Sequence, residues 1–335
     1  MREEIIVSGR MNKGVDPILH AWGWEIALYL FLGGLAAGLI IYTAFYAITK
    51  KENKYFTATK VTPIFASLFL ILGLSALFID LHHKLYFWQL YTNINLRSPM
   101  SWGAWTLLIV TPLIMIYSVL NFKELFPRIN VQKFNFLKLI ISPIDSETIN
   151  WQWRYSLIRK FESFLQKNIR LLLWVLLILG IILGMYTGIL LSAFNARPLW
   201  NTSVLGVLFL TSGLSTAAAF IMLLSKNKEE IKWFSKIDLI MIAIELFLII
   251  HMFMGFLAST TVQIEAANLF LGGQYTVVFW VFVVFIGLIL PAILEIMELK
   301  GMHINHKISA ILVLFGGLLL RFIIIYAGQN SRYLY

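Results

Sequence analysis

Eight runs of predominantly apolar residues, near 21–48, 61–80, 101–120, 170–193, 201–224, 237–258, 275–297 and 308–327, dominate this chain of 335 residues. A helix needs roughly 20 such residues to cross the hydrocarbon core of a bilayer. In lipid the backbone polar groups must pair within the segment, and long Leu/Ile/Phe runs without two-residue alternation do not build a barrel wall. The expected fold class is therefore an all-α integral membrane protein with eight transmembrane helices. It forms a single membrane domain over residues 1–335, with no soluble domain. Composition agrees: the chain is 59% hydrophobic and only 13% charged, with a mean hydropathy of +0.81. A soluble domain of this size carries far more polar surface.

The chain has no cysteine, so it offers neither a disulfide nor thiolate ligands for zinc or an iron–sulfur cluster. Its net charge of +10 is dispersed between the apolar runs instead of forming one basic, aromatic-studded domain, which argues against a nucleic-acid partner. The charges up to and including Asp16 cancel, unlike the positive start of a secretory signal, and the first run is too long for a signal core. It reads as an uncleaved first helix.

Lysine and arginine set the orientation. The loop after the first span and its flanks hold Lys50, Lys51, Lys54 and Lys60; the third loop holds nine basic residues from Lys123 to Arg170. The fifth adds Lys226, Lys228, Lys232 and Lys236, and the seventh Lys300 and Lys307. The opposite side has only Arg2, Arg10, Lys13, Lys84, Arg97, Arg197 and Arg332. The positive-inside rule places the odd-numbered loops in the cytoplasm and both termini outside. The third loop, 121–169, contains the stretch Trp151-Gln152-Trp153-Arg154-Tyr155, suited to membrane lipid at the cytoplasmic headgroups as well as to a plain topology anchor.

A faint echo links the first and fifth spans. Leu30-Phe31-Leu32 followed by Gly34-Leu35-Ala36-Ala37 reappears as Leu208-Phe209-Leu210 followed by Gly213-Leu214-Ser215-Thr216, which suggests two parallel four-helix bundles. Gly34-x-x-x-Gly38 and Gly180-x-x-x-Gly184-x-x-x-Gly188 permit close helix crossings.

Ionisable side chains within spans are costly in lipid and mark candidate sites. With the orientation above, Glu25, Asp80, His251 and Arg321 fall in the outer half, and His20, His82, His83 and Arg97 at the outer boundary. Glu245 lies toward mid-membrane and Glu295 near the cytoplasmic end of span seven. Arg321 and Asp80 suit a buried ion pair that orients two helices. Together with Glu245 and His251 they also suit a path for protons. Trp22, Glu25 and Tyr29 recur at i, i+3 and i+7, one face of a helix. Aromatic walls, a hydroxyl donor and a carboxylate are what a quinone site requires, although an interfacial aromatic belt is the ordinary role of Trp22 and Trp24. Tyr186, in Gly184-Met185-Tyr186-Thr187-Gly188, offers a second hydroxyl at the same depth. Of six histidines only His251 is well inside a span, so a haem would have to lie between His251 and His20 or His82. Two haems do not fit this distribution of histidines.

The order of these pieces resembles the NrfD/polysulfide reductase membrane-subunit family. The carrying motifs are Trp22-x-Trp24-Glu25-Ile26-Ala27-Leu28-Tyr29 running on to Gly33-Gly34-Leu35-Ala36-Ala37-Gly38, then Asp80-Leu81 and Arg97-Ser98-Pro99-Met100-Ser101-Trp102-Gly103-Ala104-Trp105. They continue with Tyr186-Thr187-Gly188, Gly272-Gly273-Gln274-Tyr275-Thr276, Gly287 with Pro291, and Gly316-Gly317 with Arg321 and Gly328-Gln329. The resemblance implies an eight-helix subunit of a prokaryotic cytoplasmic membrane without haem or metal. It would exchange electrons between menaquinone or a related quinone and a four-cluster iron–sulfur subunit, which serves a molybdopterin-type catalytic subunit. It also implies a quinone site from the first and fourth helices: Tyr186 and Tyr29 as carbonyl partners, Glu25 or His20 as proton donor or acceptor, Trp22 as a wall. Arg97, His82 and His83 would hold the covering loop 81–100 or the iron–sulfur subunit. Some relatives carry asparagine and histidine where Ile26 and Tyr29 stand; Tyr29 retains a hydrogen-bonding group and Ile26 does not. The rival class is a proton- or solute-translocating module, built on Glu245, His251 and Arg321.

Overall fold

The computed structural model describes residues 22–128, 141–143, 151–302 and 304–331. Eight helices are long and apolar enough to cross a membrane: α1 (Trp24–Ile48), α2 (Thr57–Asp80), α3 (Pro99–Leu125), α4 (Ile169–Ser192), α5 (Val204–Leu224), α6 (Lys228–Leu257), α7 (Val278–Leu299) and α8 (His306–Asn330). Each coincides with an expected span, and the differences at the ends have local causes. α6 begins nine residues before the apolar run because Asn227 caps it, its side chain accepting the Glu229 N–H at 3.0 Å, and its first turns are charged. Asn305 caps α8 in the same way, accepting from the Lys307 N–H at 3.0 Å. α2 starts with a π-helical turn, Thr57–Val61, just before Pro63, and α7 is π-helical from Val278 to Ile289 up to Pro291.

α1 lies at the centre, packed on α2, α4, α5 and α8, while α5 also packs on α4, α6 and α8. Small residues make this possible. A Cβ at Gly38 would strike the Gly213 carbonyl and the Ala217 side chain, and one at Gly213 would strike the Gly34 carbonyl. The glycines that correspond in the sequence echo, Gly34 and Gly213, therefore meet at the α1–α5 crossing. Gly180 packs against Ile40 and Ile41 of α1, Gly184 against Leu210, and Gly188 against the Leu205 backbone, so α4 is drawn onto both helices. Gly213→Leu is expected to force α1 and α5 apart, at a cost of at least about 1–3 kcal/mol. Thermal unfolding of the solubilised protein checks this, with Gly33→Ala as control, since nothing lies within 4 Å of a Cβ at Gly33.

Polar staples close the two ends. At the lysine-rich end Glu230 accepts the Ala58 N–H at 2.9 Å and the Ser225 hydroxyl at 2.7 Å. Lys60 there is buried against Glu52 at 2.9 Å, Glu124 at 3.2 Å and Asn121 at 3.1 Å. At the lysine-poor end the Gln329 side chain pairs with both the N–H and the C=O of Trp22, at 2.9 and 3.0 Å. The Trp22 ring stacks on Trp200, centroids 5.2 Å apart.

The third loop is more structured than expected. Ile141–Pro143 pairs antiparallel with Trp151–Trp153, Ser142 opposite Gln152. Trp151, expected among headgroups with its neighbours, is instead buried and donates its indole N–H to the Phe126 carbonyl at 2.7 Å. An amphipathic helix, Ser156–Lys167, follows.

Candidate functional site

Two polar groupings lie among the spans. The first forms where α1 to α4 converge toward the lysine-poor end. Tyr29 of α1 and Tyr186 of α4 are both buried, and their phenol groups are within interaction range of each other. Glycines on the other two helices shape the space. A Cβ at Gly103 of α3 would collide with the Tyr186 ring and hydroxyl, and one at Gly73 of α2 would stand 3.5 Å from the Tyr29 ring. Gly103 stands in the α3 motif of the resemblance, but only packing reveals it as the cradle of Tyr186. Tyr91, on the one-turn helix Gln89–Thr92 of the covering segment, adds a third phenol within electrostatic reach of Tyr29. Burial pushes the Tyr91 hydroxyl above its ordinary value, so it stays protonated and able to donate. Three neutral hydroxyl donors can bind carbonyl oxygens on a flat ring; none supplies a negative charge.

Glu25 and Trp22 stand differently from the expected common face. α1 begins only at Trp24, so Trp22 is not on the helix. Its ring is taken up by Trp200 and, edge-on at 5.1 Å, by Phe194. Glu25, in the first turn, is half-buried and curls back over Gly23, within electrostatic reach of Asp80. His20 lies outside the described residues. His82, His83 and Arg97 are all exposed on the segment between α2 and α3. That segment covers two cavities separated by Leu81 and Leu90. One, of about 360 Å³, has His83, Gln89, Asn93 and Asn95 on a wall that also includes Tyr86 and Met100. The other, of about 420 Å³, is apolar, lined by Leu74, Phe78, Phe87 and Tyr91.

The second grouping runs through α5, α6, α7 and α8. Arg321 of α8 is 1% exposed. It donates to the Ser212 hydroxyl, to the Phe209 carbonyl at 3.0 Å and to the Gly317 carbonyl at 3.2 Å, with its guanidinium 4.8 Å over the Phe209 ring. Glu245 of α6 is the charge that faces it, also near Ser212. Two turns earlier on the same face of α6, Asp238 accepts the Ser215 hydroxyl at 2.6 Å and approaches Glu295 of α7, which lies near Ser309 of α8. Asp238 and Glu295 are both 0% exposed. Asp238 Oδ2, both carboxyl oxygens of Glu295, the Ser235 hydroxyl and Arg321 Nε are buried without a hydrogen-bond partner. Such groups are costly in a low-dielectric interior unless they share protons or water.

The expected Arg321–Asp80 ion pair does not form: Asp80 ends α2 beside Glu25 and His82, whereas the partners of Arg321 come from α5, α6 and α8. Nor does His251 join Glu245. It is six residues further along α6, on another face, exposed and stacked on Phe247 with centroids 5.8 Å apart. Asp238 had a sequence signal, an acid at i−7 from Glu245, as did the Ser212-x-x-Ser215 stripe facing it. Among the described residues no group of three or more His, Asp or Glu could hold a metal ion.

Residues 12–331 match the family described as "Polysulphide reductase, NrfD". The protein is similar to a component of the polysulfide reductase of Wolinella succinogenes, at 32% identity over 325 residues, covering 92% of this sequence and 94% of that one. It is similar to the protein NrfD of Escherichia coli at 30% identity over 327 residues, 92% and 95% of the two sequences. A component of the selenate reductase of Mesobacillus selenatarsenatis is 25% identical over 335 residues, 96% of this sequence and 77% of that one.

Proposed function

This multi-pass membrane protein belongs to the NrfD polysulphide reductase family, and from that premise we propose that it is the quinone-interacting membrane subunit of a respiratory oxidoreductase complex. It would exchange electrons between menaquinone or a related quinone and an iron–sulfur subunit on the outer side, which serves a molybdopterin-type catalytic subunit. The observation that carries the proposal is the convergence of Tyr29 and Tyr186 from α1 and α4, two buried hydroxyls on rings that pack beside Gly73 and Gly103. Their phenols would donate to the quinone carbonyls, with Tyr91 as a third donor from the cover. Glu25, half-exposed beside Asp80, is the proton acceptor when a quinol is oxidised; it can pass the proton to the outer surface. The positive-inside bias favours this end as the outer one. The exposed segment with His82, His83 and Arg97 is then the docking surface for the iron–sulfur partner. A protein without cysteine needs the partner's terminal cluster close to the quinone, and a pocket directly beneath that segment meets the need.

The complex purified with this protein tests the proposal. It should retain quinone in organic extracts, transfer electrons from a menaquinol analogue, and show no haem bands in a reduced-minus-oxidised spectrum. No quinone and no quinol-linked turnover would overturn the reading, and solute uptake by the protein alone in liposomes would replace it with a transporter.

A second reading is favoured by a separate observation, the buried line of Arg321, Glu245, Ser212, Ser215, Asp238 and Glu295. Acids and hydroxyls in this order can pass protons between the lysine-rich end and mid-membrane, and Gly34 brings α1 to within 3.3 Å (measured from a Cβ placed there) of the Arg321 guanidinium. This line would make the subunit proton-translocating as well as quinone-linked. Proton uptake by vesicles holding the complex, lost in Glu295→Gln while quinol oxidation continues, is the expected result.

A further inference from the structure

The Ser156–Lys167 helix leaves most of its apolar face uncovered by the protein. Leu157, Phe161 and Phe164 are 78%, 51% and 61% exposed, and at about 100° per residue they share one side with Ile158 and Leu165. The opposite side carries Arg159, Lys160 and Lys167 with Ser156 and Ser163, and no acid. Glu162, at the margin, is buried and tied to Lys123 at the end of α3 by a 2.7 Å ion pair. The helix is thereby fixed beside the membrane-spanning surface. A groove of about 180 Å³ opens between it and α3, lined almost wholly by apolar groups that include Met115, Val119, Trp153, Phe161 and Leu165. Met115 and Val119 are themselves on the exposed side of α3, so the groove is continuous with the lipid-facing wall.

We propose that this helix is an in-plane membrane anchor that binds an anionic phospholipid of the leaflet at the lysine-rich end. One acyl chain fills the groove against α3, and headgroup phosphates meet Arg159, Lys160 and Lys167. Water cannot be the partner of three large apolar side chains without a large loss of hydrophobic free energy. A helix with an apolar face and a polar face whose charges are all cationic is what an anionic leaflet stabilises. The lysine and arginine stems can lie along the apolar boundary while their charged ends reach the phosphates.

The absence of cysteine from the sequence makes any introduced cysteine the only one in this subunit, and the unaltered complex carried through the same labelling gives the background from the cysteines of its partners. Single variants Leu157→Cys, Phe164→Cys, Lys160→Cys and Ser163→Cys carry a nitroxide, with the full complex in vesicles of phosphatidylcholine and phosphatidylglycerol. Labels at 157 and 164 are expected to collide with oxygen and be shielded from a water-soluble nickel chelate. Labels at 160 and 163 should show the reverse. Equal access of nickel to both faces overturns the proposal. So does shielding of 157 and 164 from both reagents in the complex but not in the isolated protein, which would assign the face to a protein partner. The triple variant Arg159→Gln, Lys160→Gln, Lys167→Gln should lower the phosphatidylglycerol retained relative to phosphatidylcholine by about fivefold per charge removed. An unchanged lipid ratio overturns the headgroup part.

Discussion

Tyr186→Phe is expected to lower quinol-linked turnover of the assembled complex by about a hundredfold, the usual loss when one donor aimed at a reacting oxygen is removed. The ring stays in the cradle formed by Gly103 of α3, so the neighbouring helices keep their packing and the complex should assemble and melt nearly as before. What is lost is one of two adjacent phenols. A quinone then keeps Tyr29 and, from the cover, Tyr91, while the oxygen that faced Tyr186 loses its donor. Steady-state turnover with a menaquinol analogue, alongside the melting temperature of the same preparation, separates the two effects. Turnover within about twofold of the unaltered complex would remove Tyr186 from the site.

Arg321→Leu should have the largest effect on the folded protein itself. The guanidinium holds the Ser212 hydroxyl and the Phe209 and Gly317 carbonyls and faces Glu245. Its removal leaves a buried carboxylate with no counter-charge. Breaking one side of such a pair costs about 3–5 kcal/mol, enough to deplete the protein from the membrane. Removing both charges together, Arg321→Leu with Glu245→Leu, should recover most of the folded protein, because apolar replacements leave no charge stranded in lipid. Immunoblots of membranes and melting of the solubilised protein read this directly. A double variant no more abundant than Arg321→Leu alone would show that Glu245 is not the relevant partner.

The eight spans were legible because a bilayer imposes a length that few other constraints imitate, and every run of that length became a helix. The helix ends were less legible. Hydropathy sees the apolar part of α6 but not its first nine residues, which Asn227 starts and charged side chains continue. The helix Ser156–Lys167 is too short and too polar to read as a span, although Leu157, Phe161 and Phe164 have helical spacing. Tyr29 and Tyr186 came from residue type and from the family resemblance, and their proximity is a matter of tertiary packing. Trp22 stands off the Glu25–Tyr29 face for a simple reason: Gly23 and the pairing of Trp22 with Gln329 set the start of α1 at Trp24, so helical spacing does not extend to residue 22. Charge and approximate depth alone pair Arg321 with Asp80, whereas Glu245, on a helix packed against the α5 that carries Ser212 and Phe209, is the acid that faces it. Asp238 sits at the margin of its apolar run, where a carboxylate is ordinary, and it is tertiary packing, with Ser215 of α5 and Glu295 of α7 against it, that buries it.

The most direct test of the tyrosine pocket is photolabelling of the complex with an azido-quinone, followed by mass-spectrometric mapping of the modified peptides. Labels should fall on α1 around Tyr29, on α4 around Tyr186 and on the covering segment around Tyr91, and excess menaquinone should compete them away. Competed labels confined to α5 to α8 would contradict a quinone site between α1 and α4.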